Sequence, residues 1–223
     1  MANALCVSPI KATVMRLVKL DGCGVPVTGA SSAVVVQNGF VSISPSPQYE
    51  EGQEYLQKRA DGVFCVNDID PPQLKRVDLE TVWCVLDPDA LVLQTGERLL
   101  TDSGAVTGTG VAGGTGLVTN RYSLEVWQPV SGINACTPGG VQQYVYWAFP
   151  NVGNAMLGDW TFENGVFTFT VNSTTFCASA LWGLGPGTGP KWINQPVQQC
   201  DHWLYNVTTT PPPTATCGAV LLT

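Results

Sequence analysis

The sequence predicts a mainly β protein, a β-sandwich or barrel with one short flanking α-helix at about 87–95 and an extended C-terminal arm. Three observations carry this. Short apolar runs recur between clusters of turn residues, with 24 Gly and 16 Pro in 223 residues, the punctuation of strands rather than helices. Only "LDPDALVLQTG" at 86–96 carries helix signals at both ends. No internal repeat is visible, which leaves a single sandwich or barrel rather than a stacked array.

The elements follow in order. From Lys11 to Leu20 the chain reads as a strand apolar on both faces, Val14 and Val18 on one, Met15 and Leu17 on the other; "DGCGVP" then turns it. "SSAVVVQN" and "GFVSISPSP" are β-rich, and "YLQKRADGVFCVND" reads as a hairpin with Asp61–Gly62 as a two-residue turn. In "KRVDLETVWCVL", Val77, Leu79, Thr81, Trp83 and Val85 share one face. The other face passes from Asp78 and Glu80 to Val82, Cys84 and Leu86. A strand that starts half-solvated and ends doubly buried needs a cover over its far end.

The short helix supplies that cover. Asp87 fits the N-cap, Pro88 the first helical position and Gly96 the left-handed stop. Leu86 and Leu91 fall at the two positions of a hydrophobic staple. Two turns cannot hold alone, so packing on the sheet must hold them. Downstream, "RYSLEVWQPV" and "QQYVYWAFP" are strands. In "DWTFENGVFTFTV" an Asn164–Gly165 turn pairs Phe162 with Phe167 and Trp160 with Phe169, four rings on one face. The tail "TTTPPPTATCGAVLLT" is extended by its prolines. The expected division is a sandwich over 1–207 and an arm over 208–223.

Composition narrows the function. Charged residues make up 12% of the chain, about half the usual share, which points to surfaces buried against partner subunits. The net charge of −7 and ten scattered Lys and Arg argue against a phosphate-reading surface. No stretch approaches a membrane span, and Lys11, Arg16 and Lys19 interrupt the first twenty residues, so a soluble protein made in a cytosol is expected. The eight cysteines, none in Cys-x-x-Cys spacing, point to buried free thiols or to disulfides formed after release from a cell, with metal last.

Catalytic motifs fail on context. "GTGVAG" (108–113) matches a dinucleotide fingerprint, but "GTG" follows where a helix must begin, so a flexible loop is expected. "SPIK" (8–11) lacks the companion motifs of penicillin-binding enzymes. Asp201–His202 has no serine elbow to serve, and Glu50–Glu51, Asp68/Asp70 and Asp87/Asp89 fit turns or capping. No catalytic, cofactor-binding or metal-binding residue is assigned.

The ordered segments "SPQYEEGQEY", "DGVFCVNDIDPPQLKRVDLE", "CVLDPDALVLQTG" and "VYWAFPNVGN" resemble those of the major tail (tail tube) proteins of long, non-contractile-tailed bacteriophages, particularly those of actinobacteria. The resemblance runs from about residue 4 to the C-terminus and is strongest over 47–100. It implies a tail-tube β-sandwich with 87–95 as its side helix, and homohexameric rings stacked into the conduit for genome delivery. It also implies a virion-tail location after assembly in the host cytoplasm. The implied partners are the chain itself and other tail proteins at the tube ends, with DNA met only in passage and no membrane. Ser44 to Gly62 is expected to form an inter-ring loop, with Tyr49, Glu50, Glu51 and Tyr55 near the neighbouring ring. Alternatives are a capsid decoration or tail-terminator protein, or a carbohydrate-binding β-sandwich suggested by seven Trp and six Tyr.

Overall fold

The computed structural model describes residues 7–101, 109–114, 116–160, 162, 164–182, 197–215 and 218–222. In chain order the strands are β1 (Ser8–Pro9), β2 (Val14–Lys19), β3 (Gly29–Gln37), β4 (Phe40–Glu50), β5 (Glu54–Lys58), β6 (Phe64–Ile69) and β7 (Gln73–Trp83). Helix α1 (Pro88–Thr95) comes next, then β8 (Arg98–Thr101), β9 (Thr109–Ala112), β10 (Arg121–Ser131), β11 (Tyr144–Trp160), β12 (Phe169–Thr175), β13 (Leu204–Thr208) and β14 (Ala219–Leu222). The protein is mainly β, with one large antiparallel sheet ordered β14-β3-β2-β10-β11-β12-β7-β4; β1 pairs with β10 and β13 with β11.

Two residues show how that sheet bends. Asn38 and Gly39 alone join β3, beside one margin, to β4, which forms the other. The sheet must therefore curl until its two halves face each other, which is what makes a sandwich-like body. The core confirms the curl: Met15, Leu17 and Val34 from one half share a buried cluster with Val77, Leu79 and Val171 from the other. Ala90 and Leu93 of α1 lie in the same cluster. Each large apolar side chain so buried contributes about 1.5–3 kcal/mol, so tertiary packing, not propensity, holds the two-turn helix.

The second face of the central strands is covered too. Val14, Trp127, Tyr146 and Ala148 pack beneath Ala178, Trp182 and Val197, and a Cys177–Cys200 disulfide clasps that covering segment. This accounts for β2 being apolar on both faces, as expected, although it begins at Val14 rather than Lys11.

Several expectations need correction. β7 ends at Trp83, and Val85 and Leu86 are exposed. The far end is thus not doubly buried, and α1 packs on the same inner face as Trp83. The segment after 108 is not a loop over Thr109–Ala112 but β9, paired with β8. The tail is not extended throughout: β14 returns to pair with β3, and residue 208 belongs to β13. Among the described cysteines, Cys23, Cys65 and Cys136 are free and exposed, not buried; Cys6 and Cys217 lie outside the described residues.

Candidate functional site: an exposed arm and two aromatic surfaces

The stretch expected as a loop is a paired ribbon. β4 and β7 run antiparallel from Phe40↔Trp83 to Glu50↔Gln73, and β5 and β6 continue the same pairing from Glu54↔Ile69 to Lys58↔Phe64. Inner β7 is buried at Val77, Leu79, Thr81 and Trp83, but every residue of β5 and β6 is exposed. The two hairpins meet at a neck where Asp70 N donates to Gln53 O at 3.0 Å. Gly52 is required there, because a Cβ would stand 1.7 Å from the Asp70 carbonyl oxygen.

The tip differs from the expected Asp61–Gly62 turn. Gly62 N donates to Arg59 O and Arg59 N to Val63 O, with Gly62 at φ +84°. The turn therefore centres on Ala60–Asp61, and Gly62 is the left-handed residue that closes it, the three-residue hairpin pattern.

The residues expected near a neighbouring ring all lie on this arm. Tyr49 is 62% exposed opposite Leu74. Glu50 accepts from Lys75 Nζ at 2.8 Å, a hydrogen bond that holds its carboxyl below the ordinary range. Glu51 is exposed at the neck, and Tyr55 Oη donates to Asp70 Oδ2 at 3.1 Å. With them the arm shows Leu56, Phe64, Val66 and Ile69 to solvent. A two-stranded ribbon is marginal alone in water, and these side chains stand exposed, without cover from the described residues of the subunit.

At the other end of the β4–β7 pair lies an aromatic groove. Asp87 caps α1 by accepting from Asp89 N and Ala90 N, Pro88 opens the helix, and Gly96 closes it at φ +76°. Leu86 and Leu91, the expected staple, both line the groove, together with Trp160, Phe162, Phe167 and Phe169. The aromatic hairpin holds in part as expected: Trp160 pairs with Phe169, and Phe162 stacks on Phe167 at 5.6 Å. The groove encloses about 480 Å³, and Phe162 is 82% exposed on its rim.

No protein-family model matches this sequence, and no curated protein matches it significantly. The reading of function therefore rests on the residues themselves.

A third surface lies on β11, β13 and the residue just before β13, where Trp147, Trp203 and Tyr205 cluster at 5.2–6.5 Å between ring centroids. Trp203 is 42% and Tyr205 59% exposed, and Trp147 Nε1 donates to Gln128 Oε1 at 3.0 Å. The sequence carried these aromatics, but the register that gathers them, Trp147↔Tyr205, was not readable from it.

The motifs weighed for catalysis have structural partners. His202 is buried with Nδ1 2.8 Å from Thr175 Oγ1, and burial lowers its pKa. Asp201 accepts from Gln198 N, and its charge opposes the lowering of the His202 pKa only in part. Asp68 accepts from Ile69 N, Asp70 from Tyr55, and Asp87 from the helix. The chain also buries an ion pair that the sequence reading missed: Arg16 and Glu125, directly opposed on β2 and β10, with Tyr146 Oη donating to Glu125 Oε1 at 2.5 Å.

Proposed function

We propose that this chain is a structural virion subunit that assembles with copies of itself into rings, six to a ring by the resemblance, stacked as a phage tail tube. The observation that carries the reading is the arm: a long ribbon, exposed on every residue of β5 and β6, finds no covering surface among the described residues, which supports burial against another molecule. The curled sheet adds support. Its β4 margin has no further partner strand among the described residues, and Pro45 and Pro47 on it lack the N–H that strand addition needs. This leaves Phe40–Ser44 and Gln48–Glu50 as the parts of that margin able to extend a neighbour's sheet. Sparse charge suits burial between subunits, and a net charge of −7 suits a conduit that must not grip DNA. In this reading the chain carries no catalytic group and no cofactor.

Electron microscopy of the concentrated protein tests it. Hollow rods of even bore are expected; solitary particles at every concentration would sink it. A trimmed variant sharpens the test: joining Glu50 to Gln73 through Asn-Gly in place of 51–72 keeps the β4–β7 register, in which those two residues are opposed. Folded subunits that make no long tubes are expected. Rings that never stack would point instead to a capsid decoration or tail-terminator protein.

A second reading, a carbohydrate-binding sandwich, draws on the exposed Trp147–Trp203–Tyr205 cluster. Titration with oligosaccharides, read by tryptophan fluorescence, separates the two. A saturable change lost in Trp203→Ala would favour the sugar.

A further inference from the structure

We infer that the arm of one copy seats in the aromatic groove of the next, joining copies head to tail along the ribbon. The inference rests on the self-assembly reading and names the surface that receives the arm.

The placement of the two parts carries the argument. Phe169, which lines the groove, is opposed to Trp83, the β7 residue that faces Phe40 at the inner end of the ribbon. The tip at Arg59–Gly62 is the outer end. Between Phe40 and Arg59 run nineteen steps of nearly continuous strand pairing, up to about 60 Å at about 3.3 Å per residue. An arm pointing away from its own groove cannot fill it. A donor at one end of a ribbon and an acceptor at the other make a heterologous contact, and repetition of such a contact propagates in one direction.

The chemistry of the two ends matches. Among the described residues the groove lining is apolar and aromatic, with one acid, Asp87, whose carboxylate caps α1. The outer hairpin offers Leu56, Phe64 and Val66, with Lys58 Nζ 5.0 Å from the Phe64 ring and Arg59 paired with Asp61 at the tip. Apolar anchors thus meet a desolvated aromatic pocket, the arrangement that concentrates binding energy.

Two variants of the full chain test the joint: Phe64→Asp on the arm and Phe162→Asp in the groove, both rings exposed so that folding is spared. Each alone should lower the pelletable fraction by about tenfold or more. Mixed, the intact groove of the first should accept the intact arm of the second once only, giving pairs of twice the mass of either variant's own particle and nothing longer. Leu56→Asp with Leu86→Asp, also exposed, repeats the design where either ring proves necessary for folding. The inference falls where wild-type protein assembles and Phe162→Asp assembles equally well, or where the mixture yields no larger particle. Wild-type protein that never assembles overturns the self-assembly reading itself.

Discussion

At the scale of single residues, the most consequential feature is the buried network of Arg16, Glu125 and Tyr146. Desolvation works to lower the Arg16 pKa, but the charge of Glu125 and its hydrogen bond outweigh it, and the guanidinium sits above its ordinary value. Truncating one member strands a buried charge, so Glu125→Leu should cost about 3–5 kcal/mol, and Arg16→Met with Glu125→Leu should recover most of that. Urea midpoints of the two single variants and the double variant give the cycle. The tyrosines add a pH dependence. Burial, opposed only in part by hydrogen bonds with Ser173 and Gln94, pushes Tyr122 up to about 12, and burial followed by Glu125 holds Tyr146 well above 10. Raised values mean the native state keeps protons that the unfolded chain releases. Stability should therefore be intact below pH 10 and fall from pH 10 toward pH 12, at about 1.4 kcal/mol per pH unit for each such tyrosine. Tyr122→Phe should flatten that slope in urea midpoints taken across the range. No local signal marks the network: Arg16 reads as an interruption in an apolar run, and its partner lies 109 residues away.

At the scale of elements, α1 was legible because its signals are local. Asp87, Pro88 and Gly96 act through neighbours in sequence, so the cap and the stop are where the residue types place them. What reinforces them is not local: Gly218 N donates to Asp87 Oδ2, and Asn120 Nδ2 donates to the Val92 and Leu93 carbonyls at the open helix end. Asp87→Ala should cost about 1–2 kcal/mol, the upper part of the N-cap range, because the Gly218 bond goes with it. A Cβ at Gly96 would meet the Asn120 side chain at 3.0–3.3 Å on a left-handed backbone. Gly96→Ala should therefore cost more than the usual 1 kcal/mol or so. Combined with Asn120→Ala it should cost less than the sum of the two, since both changes act on the same carbonyls; thermal midpoints measure this. The arm shows the opposite case. "SPSPQYEEGQEY" carries prolines and a glycine that read as loop, yet in the fold they are edge-strand prolines and a neck glycine. The prolines pair with Leu79 and Val77 and the glycine packs on Asp70, all far downstream, and no local signal marks them.

At the scale of the whole molecule, the question is whether the surface left open is more than one subunit should bear. The 23.7 kDa chain exposes 13315 Å², whereas a compact monomer of that mass exposes roughly 9,800 Å². Part of that excess is the arm, and a standard partner face hides only about 800 Å² per side, so several contacts of ordinary size could be made without opening the fold. A projecting arm has a consequence in dilute solution, before any assembly. A compact chain of this length has a radius of gyration of about 17 Å, and a ribbon reaching tens of ångströms past the body must raise it. Small-angle scattering of the dilute monomer should exceed that value clearly, with a maximum dimension set by the arm. The variant lacking 51–72 should return to about 17 Å while keeping the wild-type thermal midpoint within a degree or two, because no residue of β5 or β6 is buried. A full-length monomer already at the compact value would mean that the arm folds onto its own body. The groove would then need no second copy, and the ribbon would be a clasp instead of a connector.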